Sequence, residues 1–156
     1  RKRQKKTNYS TRMKLLKSGI PRIVIRRTNK YLTVQYVVSN ESKDKVILGV
    51  SSRELLKNGW PKEKEGSLKT IPAAYLTGYL AGKKIQEQES GKVILDLGMQ
   101  RSLSGNRLFA VLKGLVESGL EVAHDDKVFP KDDRVEGKHL KEDVQVIISK
   151  VKDKIR

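Results

Sequence analysis

One short stretch alternates apolar and polar residues cleanly. Along Tyr31–Ser39, Leu32, Val34, Tyr36 and Val38 fall on one side, and Tyr31, Thr33, Gln35 and Val37 on the other. That period of two predicts a strand with one wetter face. A run from Pro21 to Thr28 precedes it across a tight Asn29-Lys30 turn, so the two segments predict a hairpin. After the polar turn Asn40–Asp44, residues Lys45–Ser51 are nearly all apolar, which predicts a third strand buried on both sides.

The pattern then changes period. Residues 52–71 contain Trp60-Pro61, Gly66 and a Lys/Glu-rich stretch and predict a loop, with a helical turn near Ser52 to Lys57. Proline suits the first helical position, so a helix is expected from Pro72 to Ser90-Gly91. Within it Gly78 and Gly82 are read as letting the helix lie close against the sheet. Val93–Gly98 predicts a fourth strand. Leu108, Val111, Leu112, Leu115 and Val116 then form the apolar stripe of a second helix that stops at Ser118-Gly119. A short fifth strand is expected at Leu120–Val122, a loop over 125–138, and an amphipathic helix from His139 onward.

Upstream, Tyr9, Arg12, Met13, Leu15 and Leu16 have the spacing of a short helix. The whole order predicts an α/β fold: a single domain with a mixed β-sheet, a three-strand meander followed by helix-strand-helix, and a basic N-terminal arm. The expected division is an arm over 1–19, an α/β domain over 20–138 and a C-terminal helix over 139–156.

Charge sharpens this picture. The chain of 156 residues carries 34 Lys and Arg against 18 Asp and Glu, a formal charge of +16. Twelve of the cations are Arg1, Lys2, Arg3, Lys5, Lys6, Arg12, Lys14, Lys17, Arg22, Arg26, Arg27 and Lys30, and no acid occurs before Glu41. The rest of the chain is close to balanced, so the sequence reads as an ordinary domain with a cationic arm, expected to order on a polyanionic partner. With no cysteine there is no disulfide framework and no thiolate zinc site. No apolar run reaches the roughly 20 residues of a membrane span, no signal-peptide pattern opens the chain, and a cytosolic setting is expected. The chain starts at Arg1 without methionine, so relatives are expected to carry a stretch upstream.

The loop Gly98–Arg107 is the first candidate for chemistry. It precedes a helix, whose first N–H groups lack internal partners and attract anions. A nucleotide-hydrolase loop needs Lys-Ser or Lys-Thr after its last glycine, but Gly105 is followed by Asn106 and Arg107. Gly98 and Gly105 are also too far apart for a dinucleotide turn. Arg101, Asn106 and Arg107 suit backbone phosphates instead; the plainer reading is a connector with Ser104 as N-cap. Asp96 is expected to bond loop N–H groups or to pair with Arg101 or Arg107. His124-Asp125-Asp126 is a weak catalytic candidate, since neighbours on a loop seldom point at one atom.

An arm of cations ahead of a sheet face bearing Arg22, Arg26, Tyr31 and Gln35 combines phosphate neutralisation with stacking, the features of RNA recognition. A membrane partner fits less well, because the apolar face of Met13, Leu15 and Leu16 is thin. An acidic protein partner stays open, as does the alternative of a nucleotide- or metal-dependent enzyme acting on a phosphate substrate.

Several blocks carry a more specific signal. They are Thr7-Asn8-Tyr9 with Arg12, Leu15-Leu16, Ser18-Gly19, Pro21-Arg22, Val24, Arg26, Asn29-Lys30 and Gln35; Ser52–Leu55 with Gly59-Trp60; Pro72 to Lys84; and Leu95-Asp96 through Gly98, Arg101, Gly105, Arg107 and Phe109 to Lys113-Gly114, His124 and Pro130. In these the chain resembles the archaeal form of the ribosomal large-subunit protein that binds 5S ribosomal RNA, the universal L-eighteen family, akin to a larger eukaryotic relative. The resemblance implies a non-enzymatic protein of the ribosome's central protuberance, without cofactor, metal or small-molecule substrate. It also implies 5S rRNA, large-subunit rRNA and neighbouring large-subunit proteins as partners. The RNA-binding role falls on Asn8, Tyr9, Arg12, Arg22, Arg26 and Lys30, and less directly on Arg101 and Arg107. The tract Arg1, Lys2, Arg3, Lys5, Lys6 with Lys14, Lys17 and Arg27 joins them on charge.

Overall fold

The computed structural model describes residues 7–41, 43–88, 91–140 and 142–155. Helix α1 spans Tyr9–Lys17 and is capped by Asn8, whose side chain accepts from the Thr11 N–H at 3.2 Å. Strands β1 (Arg22–Arg27), β2 (Leu32–Asn40) and β3 (Lys43–Ser51) form the expected meander. Two 3₁₀ turns, Ser52–Leu56 and Lys62–Ser67, lead to α2 (Ile71–Gln86), β4 (Ile94–Asp96) and α3 (Arg107–Glu117), then α4 (Asp132–Val135) and α5 (Glu142–Ile155). The sheet order is β3-β2-β1-β4, with β4 parallel to β1 and the other pairs antiparallel. This is the mixed α/β sheet that the element order predicts.

Strand alternation gives the sheet two different faces. Ile23, Ile25, Leu32, Val34, Tyr36 and Val50 enter the hydrophobic core, where α2 packs against β2, β3 and α3. Helix α2 is buried almost all round, which is why its sequence shows no polar stripe. Helix α5 docks on α2. There Lys152 lies 5.0 Å above the Tyr75 ring and 3.3 Å from Glu117, and burial together with a hydrogen bond to Glu117 pushes the Tyr75 phenol up.

The close approach made by the α2 glycines is to α3, not to the sheet. A β-carbon on Gly78 would stand 2.9 Å from Val111 Cα, and one on Gly114 would stand 2.7 Å from the Tyr79 backbone nitrogen. The two helices therefore touch backbone to backbone.

Other elements depart from the sequence reading. Strand β3 is an edge strand rather than one buried on both sides: Val46 is 51% exposed and Ile47 37%. An apolar run reports burial only when neighbours lie on both sides, and the sheet order leaves β3 with β2 alone. Residues 120–122 contribute a single bridge, Val93 to Val122, instead of a fifth strand. The expected loop over 125–138 contains a 3₁₀ turn at Asp126–Val128 and α4. Helix α2 ends at Gln86, short of Gly91, and the cap of α3 is Asn106 rather than Ser104, its side chain accepting from Leu108 and Phe109 N–H groups at 2.8 and 3.1 Å.

Candidate nucleic-acid interface

On the face away from the core, register places Arg22, Val24 and Arg26 of β1 beside Val37, Gln35 and Thr33 of β2, with Asp96 of β4 opposite Val24. Helix α1 lies over this face. A cleft between them is lined by Thr7, Asn8, Thr11, Arg12, Leu15, Arg26, Asp96, Gly98 and Met99.

The centre of the face is an ion-pair network. Arg22 donates to Asp96 at 3.2 Å, to Ser39 at 2.9 Å and to Asp44 at 2.7 Å, and Ser39 donates to the same Asp44 oxygen at 2.7 Å. The other Asp44 oxygen accepts from Arg12 of α1 at 2.7 Å. Arg22 lies on the sheet face where the sequence reading puts it, but its side chain is 3% exposed and its donors are committed to two carboxylates and a hydroxyl. Asp96 also accepts from the Gly98 N–H at 2.8 Å, as expected, but its arginines are Arg22 and Arg26 rather than Arg101 or Arg107. Those two arise from a loop that leaves the sheet, whereas β1 runs alongside β4.

Asp44 thus joins α1 to the sheet. Burial pushes its carboxyl up, yet hydrogen bonds from Ser39 and Arg12 and the Arg22 and Arg12 charges outweigh this and hold it below the usual carboxylate range. A depressed folded-state value means stabilisation that is complete at neutral pH and fades as pH falls below about 4. The Arg12–Asp44 pair is partly exposed and worth up to about 1 kcal/mol. Asp44→Ala is therefore expected to speed amide exchange across α1 by up to about fivefold, a difference from wild type that should shrink at pH 3; unchanged exchange at pH 7 would show that α1 is held otherwise.

Around this buried centre several cations carry no acidic partner. Helix α1 buries no residue and presents Tyr9, 45% exposed, and Met13, 53% exposed, beside Lys14 and Lys17. Among the described residues Lys14, Lys17, Arg27, Lys30, Arg101 and Arg107 form no ion pair with an acid. Arg26 is half-exposed: it packs over Gly98, donates to the Ile25 and Asp96 carbonyls at 2.9 and 3.2 Å and leaves its rim open. Tyr31 is less available than its place in the strand pattern implies. Its hydroxyl donates to Glu65 at 2.9 Å and Arg53 covers its ring at 4.7 Å. Arg1, Lys2, Arg3, Lys5 and Lys6 lie outside the described residues.

His124 is a structural residue. Its Nδ1 is 2.7 Å from the Val122 carbonyl, its ring packs on Phe129, and its Nε2 is 3.4 Å from Asp126. Among the described residues no three His, Cys, Asp or Glu side chains are grouped to hold a metal ion, and no helix is long and apolar enough to cross a membrane. Sequence reasoning missed two residues here. Asp44 was legible only as a turn residue, because its role depends on the pairing that sets Ser39 opposite it. Lys69 gave no signal at all, since its contact with the Asn29 carbonyl at 3.1 Å spans 40 positions.

The sequence that builds this face matches a known family. The model of ribosomal large subunit proteins 60S L5 and 50S L18 matches residues 1–90 and 85–125. The chain belongs to that family. Large ribosomal subunit protein uL18 of Korarchaeum cryptofilum is 44% identical over 140 residues, 90% of this chain and 70% of that protein. The uL18 protein of Aeropyrum pernix is 42% identical over 90% of this chain and 64% of its own length. That of Natronomonas pharaonis is 40% identical over 91% and 75%. The resemblance read from the sequence blocks is confirmed at the level of a large-subunit ribosomal protein. Membership makes the chain a structural, RNA-binding protein of the ribosome, in the cytoplasm, and not an enzyme. The alternative of a nucleotide- or metal-dependent enzyme is thereby corrected: phosphate-seeking arginines serve RNA binding as readily as catalysis.

Proposed function

We propose that the chain binds 5S rRNA and attaches it to large-subunit rRNA in the central protuberance, beside neighbouring large-subunit proteins. The carrying observation is the concentration of charge at one end of the chain: twelve cations and no acid precede Glu41, and Lys14, Lys17, Arg27 and Lys30 among them form no ion pair within the described residues. Arginine cannot shed its charge, so unpaired arginines held together favour an anionic ligand. The exposed Tyr9 and Met13 add surface on which an unstacked base can rest.

In this reading residues 1–19 are an RNA-binding arm, 20–138 the 5S-binding domain, and 139–156 a C-terminal helix. Asn8, Tyr9, Arg12, Lys14, Lys17, Arg26, Arg27, Lys30, Arg101 and Arg107 meet RNA, together with Arg1, Lys2, Arg3, Lys5 and Lys6. Arg22 acts from beneath by fixing Asp44 and hence α1.

Each neutralised phosphate contributes about 0.7 to 0.9 to the log–log salt slope. Replacing the five cations of Arg1–Lys6 by alanine is expected to flatten the slope of 5S rRNA binding by up to about 4. A filter-binding series from low to physiological salt measures it, and an unchanged slope would remove the tract from the interface. Exposing the immobilised chain to total cellular RNA and sequencing what is retained tests the choice of 5S rRNA itself.

A further inference from the structure

The sheet has one long unpaired edge. In the order β3-β2-β1-β4, strand β4 closes one side with only Ile94–Asp96, and the adjoining Val93 bridges to Val122. Strand β3 closes the other side with nine residues, Lys43–Ser51, paired to β2 alone. Its outer row of N–H and C=O groups is a template for a further strand. Proteins commonly guard such an edge with proline, short length or charge along it. Here no proline occurs, and the charges stand only at the start.

The residues along this edge define what fits it. Lys43–Ile47 are all exposed, and the register shift beside Tyr36 and Val37 leaves Ile47 without a partner residue on β2. Val46 and Ile47 thus present adjoining apolar side chains to solvent. Beside Gly49 the space is open, since a β-carbon there would meet nothing within 4 Å, so a second backbone can approach. At the start of the strand Asp44 is committed to Arg12, Arg22 and Ser39. That leaves Lys43 and Lys45 without an acidic partner among the described residues. The edge is apolar in the middle and cationic at one end.

This pattern selects among occupants. A nucleic-acid strand has no regular row of amide donors and carbonyls to match a β-edge, and its phosphates would meet Val46 and Ile47 as well as the lysines. A second copy would bring together two chains of formal charge +16, which repel. A polypeptide segment with carboxylates opposite the two lysines satisfies both the hydrogen bonds and the charge.

We propose that β3 receives an extended segment of a neighbouring protein as a fifth, antiparallel strand, apolar at its centre and carrying carboxylates opposite Lys43 and Lys45. Backbone hydrogen bonds supply the attachment, and the lysines fix its register and direction. The antiparallel sense continues the meander and is the more stable pairing. The proposal rests on the ribosomal reading above only for the presence of a neighbouring protein, and it uses none of the residues assigned to RNA.

The test uses the full chain and two capped peptides of alternating Val and Thr, as long as β3. One carries glutamates at two alternate positions near its C-terminus, the other lysines at the same positions. At saturating glutamate peptide, amide exchange is expected to slow at alternate residues of β3 and at none of β4. Combining Lys43→Glu with Lys45→Glu should lower affinity for that peptide about tenfold and raise it for the lysine peptide. Combining Val46→Lys with Ile47→Lys should abolish binding of the glutamate peptide. Thermal melts establish that the variants fold, and single substitutions replace any pair that does not. Affinity for 5S rRNA, measured alongside, should stay within about threefold in the glutamate variant at physiological salt, where distant charges are screened. No binding of either peptide, equal binding of both, or protection away from β3 would overturn the proposal. So would self-association of the wild-type chain that the Val46→Lys and Ile47→Lys variant loses, which assigns the edge to a second copy. A large loss of 5S rRNA affinity on reversing Lys43 and Lys45, with peptide binding unchanged, would overturn it in favour of phosphate. Failure of the peptides with 5S rRNA binding intact removes this strand alone, whereas loss of wild-type 5S rRNA binding removes only the RNA reading.

Discussion

Gly114→Ala is expected to destabilise the protein by about 3 kcal/mol, although alanine is the better helix former by about 1 kcal/mol. The added β-carbon would overlap the Tyr75 carbonyl oxygen and stand 2.7 Å from the Tyr79 nitrogen and 3.2 Å from the Gly78 carbonyl carbon. All three are backbone atoms of α2 and cannot rotate away, so α2 and α3 must separate. Separation opens gaps around Ala74, Val111 and Leu115, which lie in the core with no measurable exposure. Sterics outweigh propensity because close packing is lost along the whole helix contact while propensity acts at one residue. Urea unfolding measures the effect. The comparison is Gly49→Ala, where a β-carbon meets nothing within 4 Å, and the change should stay within about 1 kcal/mol. A Gly114→Ala midpoint equal to wild type would mean that α2 and α3 do not touch in this way.

Arg22→Ala is the second large effect, expected to cost about 3 kcal/mol, the low end for removing one member of a buried ion pair. It would leave Asp96, whose side chain is 12% exposed, without its closest cation. The low end applies because Asp96 keeps the Gly98 N–H and a 3.7 Å contact with Arg26, and Asp44 keeps Arg12. The sign with pH distinguishes an electrostatic cause from a packing one. Wild type holds Asp44 below the usual carboxylate range, so its stability falls on acidification through that range. The variant lacks the part of that contribution that the Arg22 charge supplies, and the difference between the two should narrow from pH 7 to pH 3. A difference constant across that interval would assign the loss to the cavity left by the side chain.

The fold was legible where the signal is local. The alternation over Leu32–Val38 is the pattern of β2, and the stripe from Leu108 to Val116 is the buried side of α3. The misread elements are those whose state depends on distant neighbours. Lys45–Ser51 has the composition of a central strand and lies at an edge, and Gly78 serves α3 rather than the sheet. The site divides in the same manner. Cations crowded into the first 30 residues are visible in any reading of charge, but nothing local distinguishes Arg22, enclosed by two carboxylates, from Arg27, which faces open solvent at the next turn.

From residue order alone came the α/β class, the cationic beginning, the exclusion of thiolate and nucleotide-loop chemistry, and a family resemblance that the comparisons bear out. These depend on periodicity, charge and residue identity, which neighbours in sequence already contain. Tertiary structure alone decided which arginines are buried, that Asp44 fastens α1, and that Arg27 and Arg107 line one recess with Lys69 and another with Arg101. Desolvation and pairing act through space at a few ångströms, and only the folded chain sets which charges come that close.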